Sequence, residues 1–449
     1  MGKPLPGTNA WEEKQKLDVG LTAINDLLGP RSGVLRYLGE QPRQSELPNF
    51  HHFIAKSIST APFAERANFE HSGGASVSRG GAMIKAVGEA VERYCAAIYD
   101  ERAWPLVEAR DAMFPHTPPA SFVRYGSDQL DRPDFPFEQF DEDTRVRWQA
   151  CRTIPGDREI YVPAAMIQLP YYFYAEDAEP AIVQPISTGL AAHTVLGAAI
   201  AGALCEVIER DAFAITWQAQ LRHPLIEQAS LPAPALDMVH RFEAVGSRVS
   251  LLWARMDHGV PTIIALQRHD HPDMPAITFA ASTSPDPAMA LSSALEELAH
   301  TLRWTYVLKQ TRPPVSTAND YVAVVDQETH LRLHTEAAQH TLSDFIDSSP
   351  ETVTFSNIAR LDSATPDEGP RHVAAALARH GYTALMVEQT TPDVAELGFH
   401  VVRCVVPGLQ PLVMGHALRF PPDQRLAVLA KTIPGCPRSE RHAAPHPFP

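Results

Sequence analysis

The pattern Glu-x-x-Glu-Arg occurs twice in this chain, as Glu89-Ala-Val-Glu92-Arg93 and as Glu206-Val-Ile-Glu209-Arg210. Each copy lies in a stretch with helical periodicity. Around the first, Ile84, Val87, Val91, Tyr94 and Ile98 step by three and four, as residues on one helix face do. Leu204 and Ile208 flank the acids of the second. Residues three apart share a helix face, so each copy presents two neighbouring carboxylates with a guanidinium beside them. A glycine-bearing turn is expected upstream of each, at Ser72-Gly73-Gly74 and at Thr188-Gly189. The apolar flanks imply burial, and a buried carboxylate needs a counter-charge or a metal. A third helical run adds Glu296-Glu297, with His300 one turn later. A single run of this kind is ordinarily a solvated helix face; its repetition after glycine points further. Acids converging from three helices would make a cage for Mg2+, which prefers oxygen ligands and accompanies nucleotide phosphates. Arg93 and Arg210 would stand beside the phosphates.

The remaining patterns supply a frame for these helices. Helices are expected near 82–99, 195–218 and 287–309, the last with Asp286 as N-cap and Pro287 at the first helical position. A fourth is expected over His372–His380. Strands are expected at Gly33–Leu38, Ile160–Ile167, Arg248–Met256, Thr262–Arg268, Ala276–Ser282, Thr383–Gln389 and Val401–Val406. Residues 102–180, rich in proline and aromatics, are otherwise expected to be irregular. The class is α+β, with mixed sheets and packed helices. No linker divides the chain, so residues 1–433 read as one unit, followed by a tail over 434–449. That tail holds Pro434, Pro437, Pro445, Pro447 and Pro449 and is expected to be extended.

Other chemistries fare poorly. A net charge of -15 gives no basic surplus to displace counterions from nucleic acid. There is no Walker A sequence, no Gly-x-Gly-x-x-Gly ahead of a helix and no Gly-x-Ser-x-Gly elbow. The cysteines Cys95, Cys151, Cys205, Cys404 and Cys436 show neither a disulfide framework nor zinc spacing, which fits a reducing compartment. Cys95 and Cys205 read as small core residues, and Tyr171-Tyr172-Phe173-Tyr174 as core or interface. Met1–Lys16 lacks the apolar segment of a signal peptide, and no apolar run reaches the roughly 20 residues that span a bilayer. A cytoplasmic location is the expectation.

Taken together, these segments resemble the YcaO family. Ser72–Tyr94 is similar to its first Glu-x-x-Glu-Arg block. Gln184–Trp217 is similar to the block that runs from a Gly-Leu-Ala turn into the second helix. Ala294–His300 resembles the third helix, Tyr161–Tyr171 the Val-Pro-Ala strand, and Val401–Leu412 the Val-Pro-Gly-Leu segment. The resemblance implies a YcaO fold with a central ATP cleft. Glu89, Glu92, Glu206, Glu209 and Glu297 would hold Mg2+, and Gly74, Ser78, Arg93, Thr194, Arg210 and His300 would be in contact with ATP. It also implies azoline formation, because Pro445-His446-Pro447-Phe448-Pro449 is similar to the Pro-x-Pro-x-Pro ending of the ring-forming members. That ending is thought to carry the last carboxylate into the active site, so Pro445, Pro447 and Pro449 join the catalytic set. Proline fixes φ, and a threaded tail of this kind loses less entropy.

The chain departs from the family pattern at Ala75, where a lysine is usual, at Thr188, where asparagine is usual, at Thr194 and Ala198, where polar or acidic residues are usual, and at His300, where glutamine is usual. The implied activity is an ATP-dependent cyclodehydratase acting on Cys, Ser or Thr of a ribosomal precursor peptide. Thioamide or amidine formation and a non-catalytic scaffold role are the alternatives. No leader-binding winged helix or ubiquitin-activating-like domain is read in the chain, so a separate leader-binding, ubiquitin-activating-like partner is expected. A flavin dehydrogenase and a homodimeric state are further expectations.

Overall fold

The computed structural model describes residues 24–29, 33–174, 177–361, 368–433 and 435–449. Met1–Lys16 and Pro434, both named above, lie outside the described residues. Among the described residues the strands form three sheets. β1 (Leu35–Glu40), β2 (His51–Ser57) and β3 (His71–Ser76) form an antiparallel sheet in that order. A second sheet runs β4 (Leu106–Glu108), β5 (Arg145–Ile154), β13 (Ala384–Glu388), β14 (His400–Val405), β7 (Leu190–His193), with β6 (Glu159–Pro163) also on β5. The third runs β11 (Ile277–Thr283), β10 (Thr262–Arg268), β9 (Arg248–Trp253), β8 (Leu225–Ile226), β12 (Thr352–Val353), with only the β8–β12 pair parallel. The longer helices are α1 (Arg79–Ala96), α2 (Leu196–Ala219), α3 (Ala233–Glu243), α4 (Pro287–Thr311), α5 (Gln327–Leu333), α6 (Gly369–Ala378) and α7 (Asp423–Leu429). None among the described residues is long and apolar enough to cross a membrane.

Most expected elements are present within a few residues. Ser78 caps α1 by accepting from Gly81 N at 3.1 Å, and Asp286 caps α4 by accepting from Ala288 N at 2.9 Å. Three expectations are corrected. Ser72-Gly73-Gly74 is not a turn but the body of β3. Glycine is needed there because a Cβ on Gly74 would lie 2.6 Å from Ala82 O and from Lys85 Cβ, and one on Gly73 would lie 2.4 Å from the His300 ring. The region 102–180 contains the ten-residue strand β5, whose aromatic and charged residues hid its alternation. The Ile160–Ile167 strand ends at Pro163 and continues as a short 3-10 turn. The second glycine stretch is a turn: Gly189 has φ +84°, and a Cβ there would meet Cys404 O at 2.3 Å.

Each of the three acid-bearing helices is bound to one sheet and touches an edge strand of another. α1 packs on β2 and β3 and reaches β7. α2 packs on β14 and β7 and reaches β11. α4 packs on β10 and β11 and reaches β3. The layers thus close a ring, with the three helices facing its centre. β10 shows the logic: Ile263 and Ala265 point into the core under α4, while Ile264 and Leu266 point into the core under α2. A strand buried on both faces reads as a continuous apolar run rather than an alternating one. At the far end of α2, Arg425 of α7 is fully buried between Asp211 and Asp257, with contacts of 2.8 and 2.6 Å. This fastens the C-terminal segment to the α2 layer.

Candidate active site

The acids that the sequence singles out come together at the centre of the ring. On α1, Lys85, Glu89 and Glu92 follow one face at steps of four and three. Glu89 accepts from Gly73 N (3.0 Å) and pairs with Arg93 (3.3 Å). Glu92 reaches across to the second sheet and accepts from Ala192 N at 3.0 Å. On α2, Glu206 faces Arg210 at 3.7 Å and takes a hydrogen bond from the Gly189 backbone. Glu209 is hydrogen-bonded by the Thr283 backbone and faces both Glu206 and Glu297 of α4. Glu92, Glu206, Glu209 and Glu297 are each half-buried, so each keeps some contact with water.

Burial dominates the electrostatics. It pushes Glu92 up to about 8; Glu206 and Glu89 add to that against Arg93 and the Ala192 amide. Glu209 is likewise pushed up to about 8, with Glu206 and Glu297 adding to burial against Arg210. Glu206 is also raised by burial, opposed by Arg210, Arg93 and Arg403. Burial thus outweighs the arginines beside these carboxylates, and a bound cation would relieve the remainder. Among the described residues, no three Asp, Glu, His or Cys side chains close tightly enough to hold a metal unaided. The cage expected of the acids is thus not closed by the protein alone, and Mg2+ there would need waters and phosphate oxygens beside one or two carboxylates. The all-oxygen donor set fits the ion.

A pH dependence follows. The two folded-state carboxyls hold protons well above the usual carboxylate range, so at these two positions the folded state binds more protons than the unfolded one up to about pH 8, while the buried histidines act in the opposite sense only below about pH 7. Stability must then fall as pH rises through that window. Between pH 7 and 8.5, above the ordinary titration of unfolded histidine, the ligand-free melting temperature is expected to decline. Glu209→Gln is expected to raise it at pH 8 by about 2–4 °C. Thermal denaturation across the series checks both; a melting temperature that climbs with pH there contradicts them.

The other expected contacts are placed less uniformly. Arg93 Nη1, Arg210 Nε and His300 Nδ1 are buried without a partner among the described residues, as donors awaiting an anion would be. Thr194 stands half-buried just before α2. Ser78 is exposed and its hydroxyl is used as the α1 cap. Gly74 serves close packing of α1 on β3. Lys85 was not singled out by sequence, although its position one turn before Glu89 was a legible signal. Its ammonium binds Glu296 at 2.6 Å, and the other oxygen of Glu296 accepts from Ser76 Oγ (2.5 Å) and Val77 N (3.1 Å). Glu296 is thereby engaged away from the acids, which explains why Glu297 alone of that pair faces them. Cys95 and Cys205 are buried, as expected, and burial pushes their thiols up to about 11 and about 12.

The tail is threaded into the body. Residues 444–449 are all buried. Trp217 Nε1 donates to Ala444 O (2.8 Å), His334 Nε2 to Pro445 O (2.9 Å) and His330 Nδ1 to His446 O (2.8 Å). The His446 ring lies 4.0 Å from that of His330 and donates to Val413 O at 3.0 Å. Phe448 packs against Phe213 at 4.3 Å, under the Arg210 guanidinium at 4.7 Å. Arg210 Nη1 then donates to Pro449 O at 2.5 Å. The alternation of proline has a physical use here: residues 445, 447 and 449 bring no N–H that the channel would have to satisfy. The same arginine thus touches Pro449 and faces Glu206.

Comparison with known proteins places this geometry in context. The family description "YcaO cyclodehydratase, ATP- and Mg2+-binding" matches residues 73–410. An uncharacterized protein of Methanothermobacter thermautotrophicus is 26% identical over 356 residues, covering 78% of this chain and 84% of that one. A solved heterocyclase in complex with substrate and cofactor superposes with a TM-score of 0.76 at 18% identity, covering 96% of this chain; this chain spans 57% of that protein's length. The YcaO protein from Methanopyrus kandleri bound with AMPPCP and Mg2+ superposes with a TM-score of 0.64 at 20% identity, covering 91% of this chain and 93% of that one.

Proposed function

The chain belongs to the YcaO family, whose description is ATP- and Mg2+-binding, and from that membership we propose that it is the ATP-dependent cyclodehydratase subunit that converts Cys, Ser or Thr of a ribosomal precursor peptide to thiazoline or (methyl)oxazoline. The observation that carries this reading is the Arg210–Pro449 contact beside Glu206. A proline tail anchored on Arg210 favours ring formation over thioamide or amidine formation on this reading.

In the proposed reaction the peptide's thiol or hydroxyl adds to the preceding carbonyl carbon and loses its proton. The resulting oxyanion takes the terminal phosphoryl group of ATP, releasing ADP. Loss of phosphate and of the amide proton then leaves the C=N bond of the ring. Glu89, Glu92, Glu206 and Glu209, with Glu297 as the third wall, are the carboxylates from which Mg2+ would be held, and bound there it would supply charge neutralisation at the phosphates. Arg93, Arg210 and His300 offer buried donors to phosphate oxygens, and Thr194 and Ser78 are the further contacts that ATP would have on this reading. The Pro449 carboxylate, held by Arg210, accepts the proton of the attacking group, with Pro445 and Pro447 holding the tail in line. A separate leader-binding partner would deliver the peptide, and a flavin dehydrogenase would oxidise azoline to azole.

The test is mass spectrometry of a leader-bearing peptide incubated with the full chain, its copurifying partner and ATP. One water lost per modified residue is expected. An unmodified peptide with no phosphate released would leave the scaffold role instead.

A further inference from the structure

Arg403 is a lone charge in the strand Val401-Val402-Arg403-Cys404-Val405, and it is 4% exposed. Its Nη2 donates to Met166 O at 3.2 Å, while Nε and Nη1 are buried with no partner among the described residues. Leaving two donors of a guanidinium dry and unmatched is costly, and the position invites an explanation. The carboxylate facing it is Glu206, which is in an ion pair with Arg210 at 3.7 Å, and Arg93 faces it as a second cation. Burial pushes the guanidinium down to about 10. Around Glu206 there are therefore three arginines, Arg93, Arg210 and Arg403, each with at least one buried nitrogen lacking a partner. Arg93 also pairs with Glu89 and Arg210 with Pro449, yet each keeps one buried nitrogen unmatched and Arg403 keeps two. The surplus donors mark a place for an anion with several oxygens.

We propose that Arg403 binds an oxygen of the nucleotide's phosphate chain from the floor of the cleft, as the third arm of a trio with Arg93 and Arg210. This rests on the ATP reading above. A peptide approaching from solvent would meet the half-buried Glu206 and Arg210 before it met Arg403, which lies beneath them. A phosphate chain drawn down among the acids reaches it. The alternative is a strut that only ties β14 to Met166.

Calorimetric titration of the full chain with Mg·AMPPCP separates the two, with adenosine, measured by competition, as the phosphate-free probe. Arg403→Met is expected to weaken Mg·AMPPCP by about 10- to 100-fold and to leave adenosine within about twofold. Arg403→Lys keeps the charge but loses the planar fork, and is expected to fall between. Its stability serves if the methionine variant fails to fold. Mg·AMPPCP binding within twofold in the lysine variant and in any folded methionine variant, or an equal loss for both probes, would overturn the proposal while leaving the ATP site standing. No binding of Mg·AMPPCP by the parent chain would instead sink the ATP reading itself.

Discussion

Glu209→Gln is expected to lower peptide-dependent ATP turnover by about two to three orders of magnitude, on the order of what a lost charge-stabilising contact costs in an active site. The substitution keeps the size of the side chain and its acceptance from the Thr283 backbone. What it removes is the capacity to give up a proton and present a negative charge to a cation beside Glu206 and Glu297. Because that carboxylate is already strained by burial, the ligand-free protein should become more stable while its catalysis collapses. A residue that only served the fold would move both in the same direction. Glu206→Gln should lose as much activity, and it also loosens Arg210, so its effect should extend to the seating of Pro449. Phosphate release in the presence of leader-bearing peptide and partner checks both variants; turnover within a few-fold of the parent would remove these acids from the site.

Deleting Pro449 alone is expected to cut ring formation by at least about 100-fold, within the range of a lost general base, with little change in melting temperature. The structure sharpens where the chain can be cut. A longer truncation takes away Phe448, which is 1% exposed and wedged against Phe213. Phe448→Ala by itself should cost about 3–5 kcal/mol of stability. Removal of the last residue leaves the anchors at Ala444, Pro445 and His446 intact and frees only Arg210. Ring formation followed by mass spectrometry, beside ATP hydrolysis and thermal denaturation, tells chemistry from folding. Unchanged ring formation would exclude Pro449 as the proton acceptor.

The sequence displayed the acids because helix periodicity is local. Glu89 and Glu92, or Glu206 and Glu209, declare a shared face within one turn, and burial of Val87, Val91, Leu204 and Ile208 follows from the same steps. What it hid depends on neighbours far away in the chain. The glycines at 73 and 74 look like a turn until α1 and His300 are seen pressing on the strand. β5 is hidden by arginines whose partners, such as Glu179 for Arg147, come from beyond its own pattern. Arg403 offers only a charge in an apolar strand, and its meaning depends on Arg93 and Arg210 arriving from two helices. Lys85, in contrast, was available to periodicity alone.

The central claim is that the acids of three helices together hold a metal-bound triphosphate. Calorimetry of Mg·AMPPCP binding at pH 7.5, repeated in buffers of different ionisation heat, tests it directly. Carboxyls held up near pH 8 must give up protons to take a cation, so binding should release protons, in a number that shrinks as pH rises above 9 and in Glu92→Gln and Glu209→Gln. Tight binding with no proton released, or with release unchanged in those variants, would contradict the claim.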